Sequence, residues 1–127
     1  MTISQDDLNA LESRLNGRLQ ALCSNQSFTL SMHFRLDRVN DLRNSPPITL
    51  EELGGVFDRF INQHSPVLIN LQHGESFNIR CKRSHINMPC AVEKRFVNSL
   101  AIQKNVVITV MRKKEFKAAV TRDLEVV

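Results

Sequence analysis

The chain has 127 residues, 42% hydrophobic and 24% charged, which suits one compact domain over residues 1–127 and argues against a disordered chain. No apolar run approaches the roughly 18 to 20 residues that span a bilayer, and the start MTISQDDLNALESRL is acidic and polar rather than a secretory leader. The expectation is therefore a cytoplasmic protein that does not enter a membrane.

The net charge of +4 is unevenly spread. Residues 1–75 carry six Lys/Arg against nine Asp/Glu, and residues 76–127 carry eleven against four. A basic second half suits a negative partner such as RNA or DNA, or is an ordinary solvated surface. With no Trp or Tyr, seven Phe supply the aromatic area, which argues against a dedicated single-strand binder built on stacking platforms. Cys23, Cys81 and Cys90 are odd in number and widely spaced. That predicts free thiols rather than a disulfide framework or a zinc site.

Ser4 to Ser24 predicts a helix, because Leu8, Leu11, Leu15, Leu19 and Leu22 form one stripe at the 3.6-residue period. Ser4 and Asp7 stand at the capping positions. From Phe28 the period changes to two: Phe28, Leu30, Met32, Phe34 and Leu36 alternate with polar residues. Met32, Leu36, Val39 and Leu42 also satisfy a helical stripe. The reading adopted is a strand over 27–31 and a helix over 33–43. Pro46-Pro47 breaks the chain. Thr49 and Glu52 then form a capping box, and Leu53, Val56, Phe57, Phe60 and Ile61 a buried stripe, in a helix that should end near Gln63, before Pro66. Gly54-Gly55 would allow another backbone to approach.

Strands are expected over 66–72, over 77–82 and over 86–92, with Pro89 demoting the last to an edge or a bulge. Residues 105–111 read as a central strand and 116–120 as a last short one. The fold class is α+β: two or three helices packed on one face of a four- to five-stranded antiparallel sheet.

No residue spacing suggests a metal site, a phosphate loop or a nucleophile elbow, and no cofactor is expected. What remains is histidine with arginine. On a helix, His33 and Asp37 lie one turn apart, Arg35 and Arg38 flank them, and Arg43 follows. A histidine beside arginines suits RNA cleavage by the RNA's own 2′-hydroxyl, in which a base takes the 2′ proton and cations stabilise the phosphorane. His64, at a helix end, is the candidate second group. The bland alternative is a solvated His33–Asp37 pair. Arg80, Lys82 and Arg83, with Arg112, Lys113 and Lys114, stand at strand positions and strand ends, where they would either line a phosphate-tracking groove or merely guard strand edges.

The segments FTLSMHFRLDRVNDLRN and ITLEELGGVF resemble the RegB-like phage endoribonucleases, and RVNDLRN, PITLEEL, INMP and VMRKKEF are similar to stretches of small bacteriophage proteins. This resemblance implies a RelE-like fold, a phage protein acting in the host cytoplasm, and metal-independent endoribonuclease activity on RNA. It places His33 at the position of one catalytic histidine and His64 near the second; Arg38 and Arg43 join them as catalytic candidates from the helical spacing alone. The alternative function is a non-catalytic phage protein that binds a host protein or nucleic acid.

Overall fold

The computed structural model describes residues 2–120 and 122–127. Helix α1 spans Gln5–Leu22, where Ser4 Oγ accepts from Asp7 N at 3.0 Å and Leu8, Leu11, Leu15 and Leu19 are buried. Helix α2 spans Leu50–Ile69, with Thr49 Oγ1 accepting from Glu52 N at 3.1 Å. Between them lie strand β1, Gln26–Leu30, and a single π-helical stretch, His33–Arg38. After α2 come β2 (Ser76–Cys81), β3 (Ile86–Val97), β4 (Leu100–Val107), β5 (Met111–Arg112) and β6 (Arg122–Val126).

The strands form one sheet in the order β1-β4-β3-β2-β6, with β5 also on β3. The α+β class holds, but the sheet is six-stranded and mixed rather than antiparallel. Both outer strands run parallel to their neighbours, β1 to β4 and β6 to β2. Parallel pairs need long crossovers, and both have them: the chain between β1 and β4 includes α2, and that between β2 and β6 includes the other inner strands. The inner strands follow the antiparallel pattern expected of them. The β3–β4 hairpin turns on Asn98 and Ser99, both at positive φ, the geometry that matches the right-handed twist of a two-residue hairpin.

Several boundaries differ from the sequence reading. The helix expected over 33–43 is confined to the π stretch, and Met32, Leu36 and Leu42 point to solvent while Val39 is buried. Helix α2 runs through Pro66 to Ile69, so the strand expected over 66–72 does not form. The proline lies on the exposed side, Leu68 beyond it is fully buried, and Gln103 Nε2 donates to Leu68 O at 3.0 Å; these interactions offset the bond a helical proline removes. Pro89 lies in a central strand. Its carbonyl accepts from Ile108 N at 2.9 Å, so its missing N–H faces the same side, where β4 has ended at Val107 and β5 has not begun. The strand read at 116–120 is replaced by β6. Gly54 admits side chains rather than another backbone, since a Cβ there would lie 3.2 Å from Arg14 Nη2 and 3.5 Å from Leu11.

The core lies between the sheet and α1 and α2. Phe28 meets Phe57 and Phe60 edge-on at 5.3 and 6.1 Å, and Phe60 stacks on Phe77 at 5.7 Å. Burying such rings is worth about 1.5–3 kcal/mol each. Gln26, Gln103 and Asn105 are buried on this face and bonded to one another.

Both outer strands are closed by helix side chains. Asn16 of α1 donates to Phe28 O at 2.9 Å and accepts from Phe28 N at 2.7 Å, and Glu12 accepts from Leu30 N at 2.8 Å. At the far edge Gln63 of α2 donates to Val127 O at 2.7 Å and accepts from Val127 N at 3.1 Å. Asn16 stands in for a neighbouring strand at β1, and Gln63 does so at Val127, one residue past the end of β6; both contacts blunt an edge that would otherwise recruit another chain.

Arg112 joins the ends of these elements. Its Nε donates to Pro46 O, Nη1 to Glu52 Oε2 and Ser84 O, and Nη2 to Glu52 Oε1 and Pro47 O, at 2.7 to 3.2 Å. All five guanidinium N–H groups are used, and the side chain is 7% exposed. The Arg112 bonds hold the Glu52 carboxyl below its ordinary value of 4.5. Replacing Arg112 by Met should therefore cost about 2–3 kcal/mol in urea unfolding, short of a fully buried pair because Glu52 is partly exposed. A depressed carboxyl contributes stability above its unfolded pKa and loses it as pH falls through the folded value. Wild-type stability should thus fall below about pH 5 more steeply than that of Glu52→Gln, measured by urea melts across the acid range.

Candidate functional site

The π stretch forms because its inner residues are tied on three sides. Ser31 N donates to Val107 O at 3.0 Å and its hydroxyl to Ile108 O at 2.5 Å, while Phe34 N donates to Ser31 Oγ at 3.1 Å. Phe34 is buried. Arg35 turns toward α1, away from the His33 face, where it donates to Glu12 at 2.9 Å, Asn9 at 2.7 Å and Leu30 O at 3.1 Å. The turn closes through Val39 N to Phe34 O at 3.0 Å, an i to i+5 bond.

That wider turn brings both residues i+4 and i+5 over residue i. Asp37 Oδ2 lies 3.2 Å from His33 Nδ1, and Arg38 Nε donates to His33 Nε2 at 3.0 Å. An arginine can only donate, so Nε2 is the acceptor nitrogen and the ring proton sits on Nδ1, donated to Asp37. The imidazole is thus held in one tautomer. Its side chain is 45% exposed and that of Asp37 65%, so the pair contributes little to stability.

Beyond Arg38 lies Asp41, which accepts from Arg43 N at 2.9 Å and Arg43 Nη2 at 2.8 Å. These bonds hold the Asp41 carboxyl down to about 2. Asn44 donates to Arg38 O and accepts from Arg112 N, both at 2.9 Å, tying this loop to β5. The result is a cavity of about 380 Å³ lined by Arg38, Asp41, Arg43, Asn44, Arg112 and Lys113.

A second basic cavity, about 330 Å³, is lined by Arg80, Lys82, His85, Asn87, Lys113 and Lys114. Lys113 lines both, so the two cavities are neighbours. The six basic residues expected to bind substrate divide there. Arg112 is consumed by its internal bonds. Arg80 is largely so, donating to Asp123 at 2.9 Å and Phe116 O at 2.6 Å, and Lys82 pairs with Glu125 at 3.2 Å on the surface. Arg83, Lys113 and Lys114 are exposed, without an acidic partner within 4.0 Å among the described residues. A larger cavity, about 460 Å³ between α1 and α2, is lined by none of the expected site residues.

His64 is not brought to His33. Its Nε2 meets Glu125 O at 2.5 Å and its ring packs on Phe60 at 5.5 Å. It closes the β6 edge beside Gln63, while His33 follows β1 at the opposite edge, four strand spacings or about 19 Å across the sheet. The pairing of His33 with His64 as base and acid is therefore corrected: His64 has a structural task. Asp41 and Asn44 are the organising residues that the sequence reading missed. The signal for Asp41 is the DLRN step, where an Asp accepts from the N–H two residues on; Asn44 has no local signal, since its partner Arg112 is remote in sequence.

Among the described residues no three of His, Cys, Asp or Glu cluster so as to hold a metal ion, and no helix is long and apolar enough to cross a membrane. Cys81 and Cys90 are buried, Cys23 is half-buried, and all three are free. Comparison with protein-family models, with curated proteins and with solved structures finds no match. His64→Ala should lower stability by about 1 kcal/mol through loss of one edge bond, read by thermal melting, and leave any action on RNA unchanged.

Proposed function

We infer that the protein acts on RNA through the basic face between the π stretch and the 109–114 segment, as a metal-independent endoribonuclease with His33 as its single histidine. One observation carries this reading: an imidazole fixed in a single tautomer by Asp37 and joined through Arg38 to a cavity that Arg43 and Lys113 also line. A neutral imidazole with its proton on Nδ1 offers Nε2 as a general base, and the flanking carboxylate stabilises the cation formed when it accepts a proton. In the reaction Nε2 takes the 2′-hydroxyl proton, the 2′ oxygen attacks phosphorus and the P–O5′ bond breaks, with solvent returning a proton to O5′. Arg38 and Lys113 line that cavity and would stabilise the phosphorane charge, while the Arg43 guanidinium is paired with Asp41. The likeness of residues 28–57 to the RegB-like enzymes, and the RelE-like fold it implies, point the same way.

A second reading, RNA binding without cleavage, is favoured by the separation of the two histidines and by the two neighbouring basic cavities that share Lys113. Phosphate contacts alone would then account for the face.

Incubation of purified protein with mixed mRNA in EDTA separates the two. Cleavage leaving 2′,3′-cyclic phosphate ends, lost by at least about 100-fold in His33→Ala, is the expected result. Binding without cleavage selects the second reading. Under either, Lys113→Ala and Lys114→Ala should each reduce the slope of log K against log salt by about 1, measured by fluorescence anisotropy; an unchanged slope would place the RNA elsewhere.

A further inference from the structure

Neither nitrogen of the His33 ring is free. Asp37 holds Nδ1, and Arg38 Nε donates into the lone pair on Nε2 at 3.0 Å. A base with an engaged lone pair cannot take a proton, so Arg38 must leave before His33 acts.

Arg38 is placed to leave. Its one carboxylate neighbour within 4.0 Å among the described residues, Asp41, stands 3.6 Å from Nη1, beyond hydrogen-bond reach. Asp41 is itself occupied by four bonds from Arg43, one from the backbone N–H and three from the guanidinium. The terminal nitrogens of Arg38 therefore face the cavity they line with no short acceptor among the described residues. A guanidinium binds phosphate through two parallel N–H···O bonds, and such charge-assisted bonds are roughly twice as strong as those between neutral groups. Arg38 now spends its Nε on a neutral imidazole. A phosphate entering the cavity would offer a better acceptor to the same edge of the guanidinium.

We propose that Arg38 is a positioning residue that occupies the His33 lone pair in the free protein and surrenders it to a phosphate group of the bound RNA, so that the base is uncovered only with substrate in place. The Asp37 contact is untouched by that exchange and keeps the ring oriented. This rests on the RNA reading above, but it can be tested apart from it, because inorganic phosphate alone should draw Arg38 away.

The test uses the full chain labelled with 15N-histidine at about pH 8, above the ordinary imidazole range. The His33 ring nitrogens are followed by NMR during titration with inorganic phosphate, and separately with a 2′-O-methyl RNA oligonucleotide that binds but cannot be cleaved. Arg38→Ala supplies the reference signal of an uncovered Nε2. Either ligand should move the wild-type Nε2 resonance downfield toward that reference while Nδ1 stays in place. If phosphate moves Nε2 but the oligonucleotide does not bind, the latch stands and the RNA reading falls. If the oligonucleotide binds, by anisotropy, and Nε2 does not move with either ligand, the latch falls and RNA binding stands. If neither ligand binds, both fall. Should Arg38→Ala not fold, the direction of the wild-type shift decides alone.

Discussion

Arg112 stands where four pieces of chain end: the Asn44–Pro47 loop, the first turn of α2, the Lys82–His85 turn and β5. A charge buried there must be satisfied by protein, and a single guanidinium with five fixed donors meets three carbonyls from two loops and both oxygens of one carboxylate. Lysine, a compact charge with three donors, could not reach the same set. Glu52 serves at once as the N3 member of the capping box and as the partner of Arg112. Helix start and sheet end are thus fixed by the same carboxylate. The basic cavity depends on this junction, because Asn44 reaches Arg112 on one side and Arg38 on the other.

Local chemistry was the legible part of the sequence. Both capping boxes, the stripe from Leu8 as far as Leu19 and the stripe from Leu53 to Ile61 stand where their spacing places them, since each is decided within a turn or two of helix; Leu22, the last expected member of the first stripe, is exposed. What failed was decided at a distance. The parallel placement of β1 and β6 depends on crossovers that no strand encodes. Pro66 stays in a helix because Leu68 and Gln103 hold the last turn, and Pro89 stays in a central strand because β4 gives way opposite it. The window from Met32 to Leu42 was ambiguous between two periods because it follows neither: a π turn shifts the register, so an exposed Leu36 and a buried Phe34 satisfy no simple pattern.

The same turn explains why the site was half legible. His33 and Asp37 are paired at the spacing of an ordinary helix, but the contact of Arg38 with the far side of the ring exists only because the turn is wide. Arg35, which a regular helix would leave beside His33, is drawn instead to Glu12 and anchors the stretch to α1. Charge counting identified the basic half of the chain but could not rank its members. Arg112 and Lys113 are adjacent in sequence, and one is structural while the other is exposed to solvent.

The closed sheet edges make the molecule sensitive to a change of a single atom type. Asn16 can act as a surrogate strand only because its amide offers one donor and one acceptor to Phe28. Hydrolysis of that amide to a carboxylate would leave an oxygen facing the Phe28 carbonyl where a donor now stands at 2.9 Å. The edge would open without any change in the core and would offer β1 to another chain.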